Sequence, residues 1–233
     1  MKVISIIPAR GGSKGIRDKN VADVNKEAMI YYAIKASKES RIDETWVSTD
    51  SPMIASVAET YGAKVLQRPA NISTDTSQSE EALLHFAKKV DFDILVFIQA
   101  TSPLITSEHI NGGLDLMEKD NYDSVFTAHE EHWIPRWTKE GEPVDWDTFK
   151  RPMRQEKDTQ YVENGMFYIT KKEHLLASKL RYSGNIGMLL IPQEDGYQID
   201  TLDDLRLVTN LLRIRESDKN ELGEIVEEDT NAT

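Results

Sequence analysis

Several residue types and patterns are missing from this 233-residue chain, and each absence excludes a class of protein. The chain has no cysteine, so disulfides, thiolate metal sites and cysteine nucleophiles are excluded, and a metal must be bound by oxygen or histidine ligands. No run of about 18 uninterrupted apolar residues is present, which argues against a membrane-spanning helix. Met1 and Lys2 lead directly into an apolar run rather than a charged-then-apolar leader, so we expect a cytoplasmic protein without a membrane partner.

Basic charge is also scarce. The chain has 28 Lys and Arg against 40 Asp and Glu, a formal net charge of −12 and a pI of about 4.9. This balance argues against general nucleic-acid binding, which needs an extended basic face to displace counterions. The five histidines show neither HxxxH nor HExxH spacing, so we interpret them as structural or solvated and expect oxygen ligands, with Mg²⁺ as a suitable metal.

The order of apolar and helical patterns predicts the fold class. Strand-like apolar runs occupy residues 3–7, 45–48, 64–67, 94–98, 124–128, 165–169 and 187–191. Segments with helical spacing occupy residues 28–40, 52–61, 77–90, 106–118 and 201–215. Strands that alternate with helices indicate an α/β protein with a doubly wound, mostly parallel sheet, in which ligands bind at the carboxyl ends of the strands.

The chain shows no internal repeat and no linker that divides it, so residues 1–215 are predicted to form a single domain. Residues 129–161 lack a clear period and contain Trp133, Trp137 and Trp146. We interpret this segment as an excursion that packs on a second subunit and caps the substrate, because amphipathic aromatics suit interfaces. A long loop folded onto its own domain is the alternative. Residues 216–233 are rich in acids and are expected to form a frayed tail.

The segment ISIIPARGGSKGIRDKNV, residues 4–21, combines a short strand with a basic, glycine-rich turn. Its glycines permit positive φ angles and close approach of a ligand, and four cations lie within ten residues, at Arg10, Lys14, Arg17 and Lys19. In so acidic a chain this cluster indicates a polyphosphate site. Neither GxxxxGK[ST] nor GxGxxG is present. A solvated surface turn is the alternative interpretation.

The string PARGGSKG followed by KN resembles the start of the CMP-sialic acid synthetases, the N-acylneuraminate cytidylyltransferases. Further matching strings extend the resemblance over roughly residues 2–212, namely VSTDS, QRPANISTDT, FIQATSPL, RPMRQ, YVENGMFYI and QIDTLDDL. The resemblance implies a nucleotidyltransferase fold of the GT-A-like, Rossmann-like type. It also implies transfer of CMP from CTP to the anomeric 2-hydroxyl of a nonulosonic acid, with Mg²⁺ as cofactor and a homodimer as the assembly.

The resemblance assigns the nucleotide site residue by residue. Arg10, Lys14 and Lys19 match the basic loop that contacts the triphosphate, and Asp200 matches a catalytic, metal-binding carboxylate. The positions that match nucleotide contacts are Gly11, Gly12, Asn20, Arg68 and Ser79. Two of these have structural alternatives, because Asn20 can cap a turn and Ser79 can belong to the first turn of a helix.

The sugar-acid site is assigned in the same way. Gln99, Thr101 and Ser102 follow a buried strand, and Asn164 precedes a glycine, where a plain turn is the alternative. Arg154 and Gln155 come from the excursion. The planar fork of Arg154 suits a carboxylate or a phosphate, and an interface ion pair is its alternative.

Two positions depart from the family pattern. Ile105 stands where many bacterial relatives have an arginine, and Gln198 stands where the family commonly has the first carboxylate of DID. Asp50 is a conceivable second acid, although we expect it to cap the following helix. The alternatives are therefore the same chemistry on Kdn, Kdo or a legionaminic-type acid, or a paralogue that binds nucleotide without turnover.

Overall fold

The computed structural model describes the backbone of residues 1–231 and the side chains of residues 1–153 and 155–218. Its strands are β1 (Val3–Pro8), β2 (Asp23–Val24), β3 (Glu27–Ala28), β4 (Glu44–Thr49), β5 (Lys64–Gln67), β6 (Ile94–Ile98), β7 (Ser124–Glu131), β8 (Arg136–Trp137), β9 (Pro143–Val144), β10 (Gln160–Lys171) and β11 (Ile186–Leu190). Its α-helices are α1 (Met29–Glu39), α2 (Pro52–Thr60), α3 (Ser79–Ala87), α4 (Ser107–Lys119), α5 (Lys172–Ser178) and α6 (Leu202–Asn231).

Seven strands form one sheet in the order β11-β7-β10-β6-β1-β4-β5. All neighbouring pairs are parallel except those of β10, which is antiparallel to both β6 and β7. The prediction of a doubly wound, mostly parallel sheet is therefore confirmed.

The sheet is covered on both faces, which explains why its central strands are almost wholly apolar. In β6, Val96 and Ile98 pack into the core that contains residues of α1, α2 and α4. The alternate residues Leu95 and Phe97 pack into a second core with Leu83 and Phe86 of α3 and with residues of β10 and α5. No helix in the described part of the chain is both long and apolar enough to cross a membrane.

The excursion begins from a longer pair of strands than the sequence predicts. β7 continues to Glu131 and pairs with the start of β10, where Gln160 lies opposite Glu131. Beyond this ladder, β8 and β9 form a small hairpin, and Trp146 packs edge-on against Trp133 and Trp137 at centroid distances of 6.1 and 4.7 Å. The three tryptophans therefore contact one another within the excursion.

The last helix also differs from the prediction. It was expected to end near Arg215, but α6 continues to Asn231, so the backbone of residues 216–231 is helical rather than frayed. Two contacts anchor its first half, because Val208 is fully buried and Glu216 accepts a hydrogen bond of 2.9 Å from Asn25. The last two residues of the expected tail, 232 and 233, lie outside the described residues.

Candidate active site

Apart from Arg154 and Gln155 in the excursion, the predicted site residues lie on segments that meet at one edge of the sheet, at the carboxyl ends of four parallel strands. The loop 9–22 follows β1, Asp50 follows β4, Arg68 follows β5, and the segment 99–102 follows β6. The antiparallel strand β10 brings Asn164 to the same edge from the opposite chain direction. This is the edge at which parallel α/β sheets bind ligands.

Arg10 and Lys14 converge on one carboxylate that the sequence did not single out. Arg10 Nη1 donates to Asp75 Oδ1 at 2.7 Å, and Lys14 Nζ lies 2.6 Å from Asp75 Oδ2. The hydrogen bonds from Lys14 and Arg10 lower the pKa of Asp75 below its ordinary value. The basic loop is thus an anion-binding element in this structure, and its anion is a side chain.

The backbone of the same loop is held from two sides. Gly11 N–H donates to Asp50 Oδ1 at 2.9 Å, and Asn20 Nδ2 donates to the carbonyl oxygen of Arg10 at 3.0 Å. The prediction that Asp50 caps helix α2 is wrong, because Ser51 is the N-cap and accepts from Ile54 N–H. Asp50 positions the glycine-rich turn, and Asn20, which is buried, braces it from inside.

Lys19 and Asp200 are brought together across nearly the whole chain. Lys19 Nζ donates to Asp200 Oδ1 at 2.8 Å and to the carbonyl oxygen of Ile199 at 3.2 Å. Gly15 lies against the Asp200 backbone so closely that a Cβ at Gly15 would come within 2.8 Å of the Asp200 carbonyl oxygen. A glycine is therefore required where the basic loop meets the segment that carries Asp200.

Asp200 lies two residues before α6, and the start of that helix fixes its backbone. Asp204 accepts from the N–H groups of Asp200 and Thr201 at 3.0 and 2.8 Å. These backbone hydrogen bonds lower the pKa of Asp204. Asp204 is a capping acid of the first helical turn, and it leaves the Asp200 carboxylate free to face Lys19.

Arg68 is the least satisfied charged group in the site. Its side chain is only 6% exposed, and its Nε and Nη2 atoms are buried without a hydrogen-bond partner in the described structure. The nearest carboxylate oxygen, Asp50 Oδ1, lies 3.9 Å from Nη2. Burial lowers the pKa of the Arg68 guanidinium. Buried donors of this kind are costly unless a ligand accepts from them, which makes Arg68 a strong candidate for a ligand contact.

Ser79 is half-buried and is the first residue of α3. That helix begins with a capping box in which Gln78 is the N-cap residue and the Glu81 side chain accepts from the Gln78 N–H at 2.9 Å. Ser79 therefore belongs to the first turn of a helix, which is the structural alternative that the sequence offered for it. A residue at this position presents its side chain at the start of a helix, where anions are favoured.

Gln198 connects two residues that the sequence assigns to the site, Asn164 and Thr101. Its Nε2 donates to the carbonyl oxygen of Asn164 at 2.6 Å, and its Oε1 accepts from Thr101 Oγ1 at 3.2 Å. Ile199 N–H also donates to the Thr101 carbonyl oxygen at 2.8 Å. Gln198 therefore joins the loop after β6 to the start of the buried part of β10.

Gly165 lies close to the side-chain amides of Gln198 and Gln99, where a Cβ atom would not fit. Its φ is +71°, and a Cβ there would lie 2.8 Å from Gln198 Nε2 and 3.0 Å from Gln99 Nε2. Asn164 contributes to the same region, since its Oδ1 accepts from Thr127 Oγ1 at 2.6 Å while its Nδ2 is buried without a partner. The Asn-Gly pair marks a turn-like bulge in β10, and the bulge places amide groups at the sheet edge.

Two other predicted residues have different surroundings. Ser102 is fully buried, and its Oγ has no hydrogen-bond partner in the described structure. Gln155 lies in the excursion, where it lines a cavity of about 420 Å³ with Trp133, Arg151 and Met153. The side chain of Arg154 lies outside the described residues.

Two further acidic residues, Asp75 and Glu163, were given no role from the sequence. Asp75 lies within the string QRPANISTDT. Its ion pairs could not be predicted, because its partners Arg10 and Lys14 are more than 60 residues away in the sequence. The pair formed by Tyr168 and Glu163, in which the tyrosine hydroxyl donates at 2.5 Å, lies within YVENGMFYI. Burial and the hydrogen bond to Glu163 raise the pKa of Tyr168 above its ordinary value.

Comparisons with known proteins identify the family of this chain. N-acylneuraminate cytidylyltransferase A of Danio rerio is 37% identical over 180 residues, 73% of this chain and 42% of that protein. Post-translational flagellin modification protein B of Campylobacter coli is 29% identical over 224 residues, 91% of this chain and 95% of that protein.

A solved structure of CMP:2-keto-3-deoxy-manno-octonic acid synthetase complexed with CTP shares the fold, with a TM-score of 0.71 at 20% identity over 92% of this chain and 100% of that one. The chain spans about half the length of the N-acylneuraminate cytidylyltransferases that it matches. The family model described as cytidylyltransferase matches residues 4–218. Since that match covers the basic loop, the sheet edge and the start of α6, the chain belongs to the cytidylyltransferase family.

Proposed function

We propose that this protein transfers CMP from CTP to the anomeric 2-hydroxyl of a nonulosonic acid, N-acetylneuraminate or a close relative, and releases pyrophosphate. The relatives named N-acylneuraminate cytidylyltransferase support the substrate class. The observation that carries the proposal is the junction of Lys19 and Asp200, which joins the basic loop to the second, acidic half of the site.

The chemical difficulty of this reaction is charge. A triphosphate must be approached by a hydroxyl of a molecule that is itself a carboxylate, so cations must neutralise the phosphate oxygens in the transition state. Arg10 and Lys14 lie on one side of the loop and Lys19 on the other. In the proposed mechanism Arg10 and Lys14 bind the phosphates, and Lys19 orients the triphosphate toward Asp200.

Mg²⁺ is the proposed cofactor. Among the described residues, Asp200 is the protein ligand that we propose for it. The described part of the chain contains no group of three or more acids or histidines arranged to hold a metal ion, and both ends of the Gln198 amide are hydrogen-bonded. Asp200, whose side chain is 69% exposed, would hold the ion, with substrate phosphates as further ligands. Mg²⁺, when bound, neutralises charge on phosphate oxygens.

Nucleotide recognition is assigned to Arg68, to the glycine-rich turn and to Ser79. Arg68 offers two buried donors, and the main chain of Gly11 and Gly12 allows close approach of a ligand. Asn20 acts through the loop, because its amide supports the Arg10 carbonyl. Ser79 offers a hydroxyl at the start of α3.

The sugar acid is proposed to bind beside the amide groups of Gln99, Gln198 and Asn164, with Thr101 and Ser102 on the adjoining loop. Amides donate and accept hydrogen bonds, which suits the hydroxyl groups and the N-acyl group of such a sugar. Arg154 and Gln155, from the excursion, are the proposed contacts to the carboxylate.

The protein is further proposed to act as a homodimer through the excursion. Several large apolar side chains are exposed there, among them Phe149 at 95% and Met153 at 62%. Exposed apolar groups clustered in one segment are typical of an interaction surface. Light scattering on the wild type and on a Phe149→Asp, Met153→Asp variant tests this, with dimer expected for the first and monomer for the second. The cytoplasmic location expected from the sequence stays a prediction.

The decisive experiment is pyrophosphate release with CTP and Mg²⁺ over a panel of N-acetylneuraminate, Kdn, Kdo and a legionaminic acid. Turnover that requires CTP together with N-acetylneuraminate is expected. Turnover with another panel member alone would move the assignment to that sugar. CTP binding without pyrophosphate release from any acid would favour the paralogue that binds nucleotide without turnover.

A further inference from the structure

The two cations proposed for the triphosphate already share an anion within the chain. Both oxygens of Asp75 are engaged, Oδ1 by Arg10 at 2.7 Å and Oδ2 by Lys14 at 2.6 Å. We propose that Asp75 is an internal counter-anion of the phosphate site, which the triphosphate displaces from Arg10 and Lys14 and which thereby sets nucleotide affinity. This inference rests on the proposed function, since it takes the loop to be the phosphate site.

The turn that carries Asp75 does not depend on its carboxylate. Thr74 N–H donates to Ser77 Oγ at 3.1 Å, the two hydroxyl groups of these residues lie 2.9 Å apart, and Ser73 Oγ donates to the Pro69 carbonyl oxygen at 2.9 Å. The recorded partners of the Asp75 carboxylate in the described structure are Arg10 and Lys14. Its contribution is therefore made to the basic loop and not to its own turn.

Position in the chain also links this turn to the nucleotide. Arg68 stands shortly before it, at the end of β5, and Ser79 follows it at the start of α3. The charge of Arg10 also contributes to lowering the pKa of Arg68, so the two guanidinium groups lie within electrostatic reach of one another. Asp75 thus pairs with Arg10 and Lys14 beside Arg68, whose nearest carboxylate oxygen among the described contacts belongs to Asp50.

Electrostatics favours the triphosphate over the Asp75 carboxylate as the anion that binds Arg10 and Lys14. The Asp75 carboxylate is 41% exposed, and ion pairs exposed to water are weak. A triphosphate carries several negative charges and accepts charge-assisted hydrogen bonds from both cations at once, so it outcompetes a single carboxylate. If Asp75 stayed in place, it would repel the phosphates. Either way, its charge lowers the affinity for the nucleotide.

The test uses the full chain with Asp75→Asn, which removes the charge and keeps the size of the side chain. Asp91→Asn is the matched control, because Asp91 is also exposed and paired with a lysine, Lys172 at 2.7 Å, but precedes β6 and lies at the opposite edge of the sheet. Titration calorimetry without divalent cations measures the binding of CTP, inorganic tripolyphosphate and cytidine to each protein.

The expected result is that Asp75→Asn binds CTP and tripolyphosphate about tenfold more tightly than the wild type, a gain of about 1.4 kcal/mol, while Asp91→Asn does not. Cytidine, which has no phosphate, should show no gain. Equal or weaker binding of tripolyphosphate by Asp75→Asn would overturn the proposal and would identify Asp75 as a brace that the cations need. Failure of the wild type and both variants to bind CTP or tripolyphosphate would instead count against the phosphate site itself, and so against the proposed function.

Discussion

Lys19 and Asp200 are 181 positions apart in the chain, yet their side chains form an ion pair of 2.8 Å at the edge of the sheet. Lys19 is 17% exposed and Asp200 is 69% exposed, so the lysine is fixed within the protein while the carboxylate reaches toward solvent. The second bond of Lys19, to the Ile199 carbonyl oxygen, holds its ammonium group in place independently of the carboxylate. This arrangement allows Asp200 to be tested without releasing Lys19.

Asp200→Asn is expected to lower kcat by about two orders of magnitude or more, the range found when one electrostatic stabiliser is lost. Asp203→Asn is the matched control, since Asp203 is 89% exposed, three positions away and paired only with Arg206 in the described contacts. Steady-state pyrophosphate release at saturating Mg²⁺ measures both variants. Near-normal turnover of Asp200→Asn under these conditions would show that Asp200 does not bind the metal.

Gln198→Glu tests whether Gln198 links Thr101 to Asn164 by hydrogen bonds or binds the metal. The change removes the donor to the Asn164 carbonyl oxygen and places a carboxylate beside it, so we expect a loss of about 1 kcal/mol in the free energy of unfolding and a higher KM for the sugar acid. Gln193→Glu, at an exposed position in the preceding turn, is the control for charge. A lower half-saturating Mg²⁺ concentration in Gln198→Glu would show instead that position 198 contacts the metal.

Arg68→Met is expected to have opposite effects on stability and on binding. Two buried guanidinium donors without partners cost free energy in the empty protein, so an apolar side chain of similar length should leave the melting temperature unchanged or raise it. The same change should weaken CTP binding at least about tenfold, because it removes charge-assisted hydrogen bonds. Thermal unfolding and calorimetry measure the two quantities, with exposed Arg206→Met as control. Loss of stability in the absence of CTP would mean that Arg68 has a structural partner.

Glu44 gives the protein an acid-sensitive contact far from the site. Hydrogen bonds from Lys2, Trp46 and Lys64 lower the pKa of Glu44 from 4.5 to about 2. A lowered folded-state pKa stabilises the protein above the ordinary pKa, and this stabilisation is lost as the pH falls from about 4.5 toward 2. Glu44→Gln should therefore show a shallower fall of unfolding free energy over that interval, whereas Glu59→Gln on the exposed side of α2 should follow the wild type. Parallel curves for all three proteins would contradict the assignment.

Much of the fold was predictable because buried parallel strands have a strong local signal. β5 and β6 have the predicted bounds, and α1 differs from its prediction by one residue at each end. The short hairpins β2–β3 and β8–β9 and helix α5 were not predicted, because two-residue strands and a seven-residue helix have too few positions for a period. The end of α6 was missed because an acidic, polar sequence lacks an apolar stripe of its own.

The residues of the basic loop and Asp200 were predictable from the sequence, but Asp75 and the pairing of acids with cations were not. The glycines and cations of the basic loop are neighbours in the sequence, so the loop can be recognised from a short stretch of residues. The partners of these cations are distant in the sequence, Asp75 for Arg10 and Lys14, and Asp200 for Lys19. Asp50 was assigned to a helix cap by its position, but the fold turns it toward the Gly11 N–H.

The sequence by itself determined the order of strands and helices, the basic loop and the family, since each depends on neighbouring residues or on strings that can be compared directly. Only the tertiary structure decided what the loop contacts, how Gln198 joins Thr101 to Asn164, and which buried donors of Arg68 remain unpaired. The physical reason is that charge pairing and hydrogen bonding depend on distance in space, and the sheet brings together at one edge residues that the chain keeps far apart.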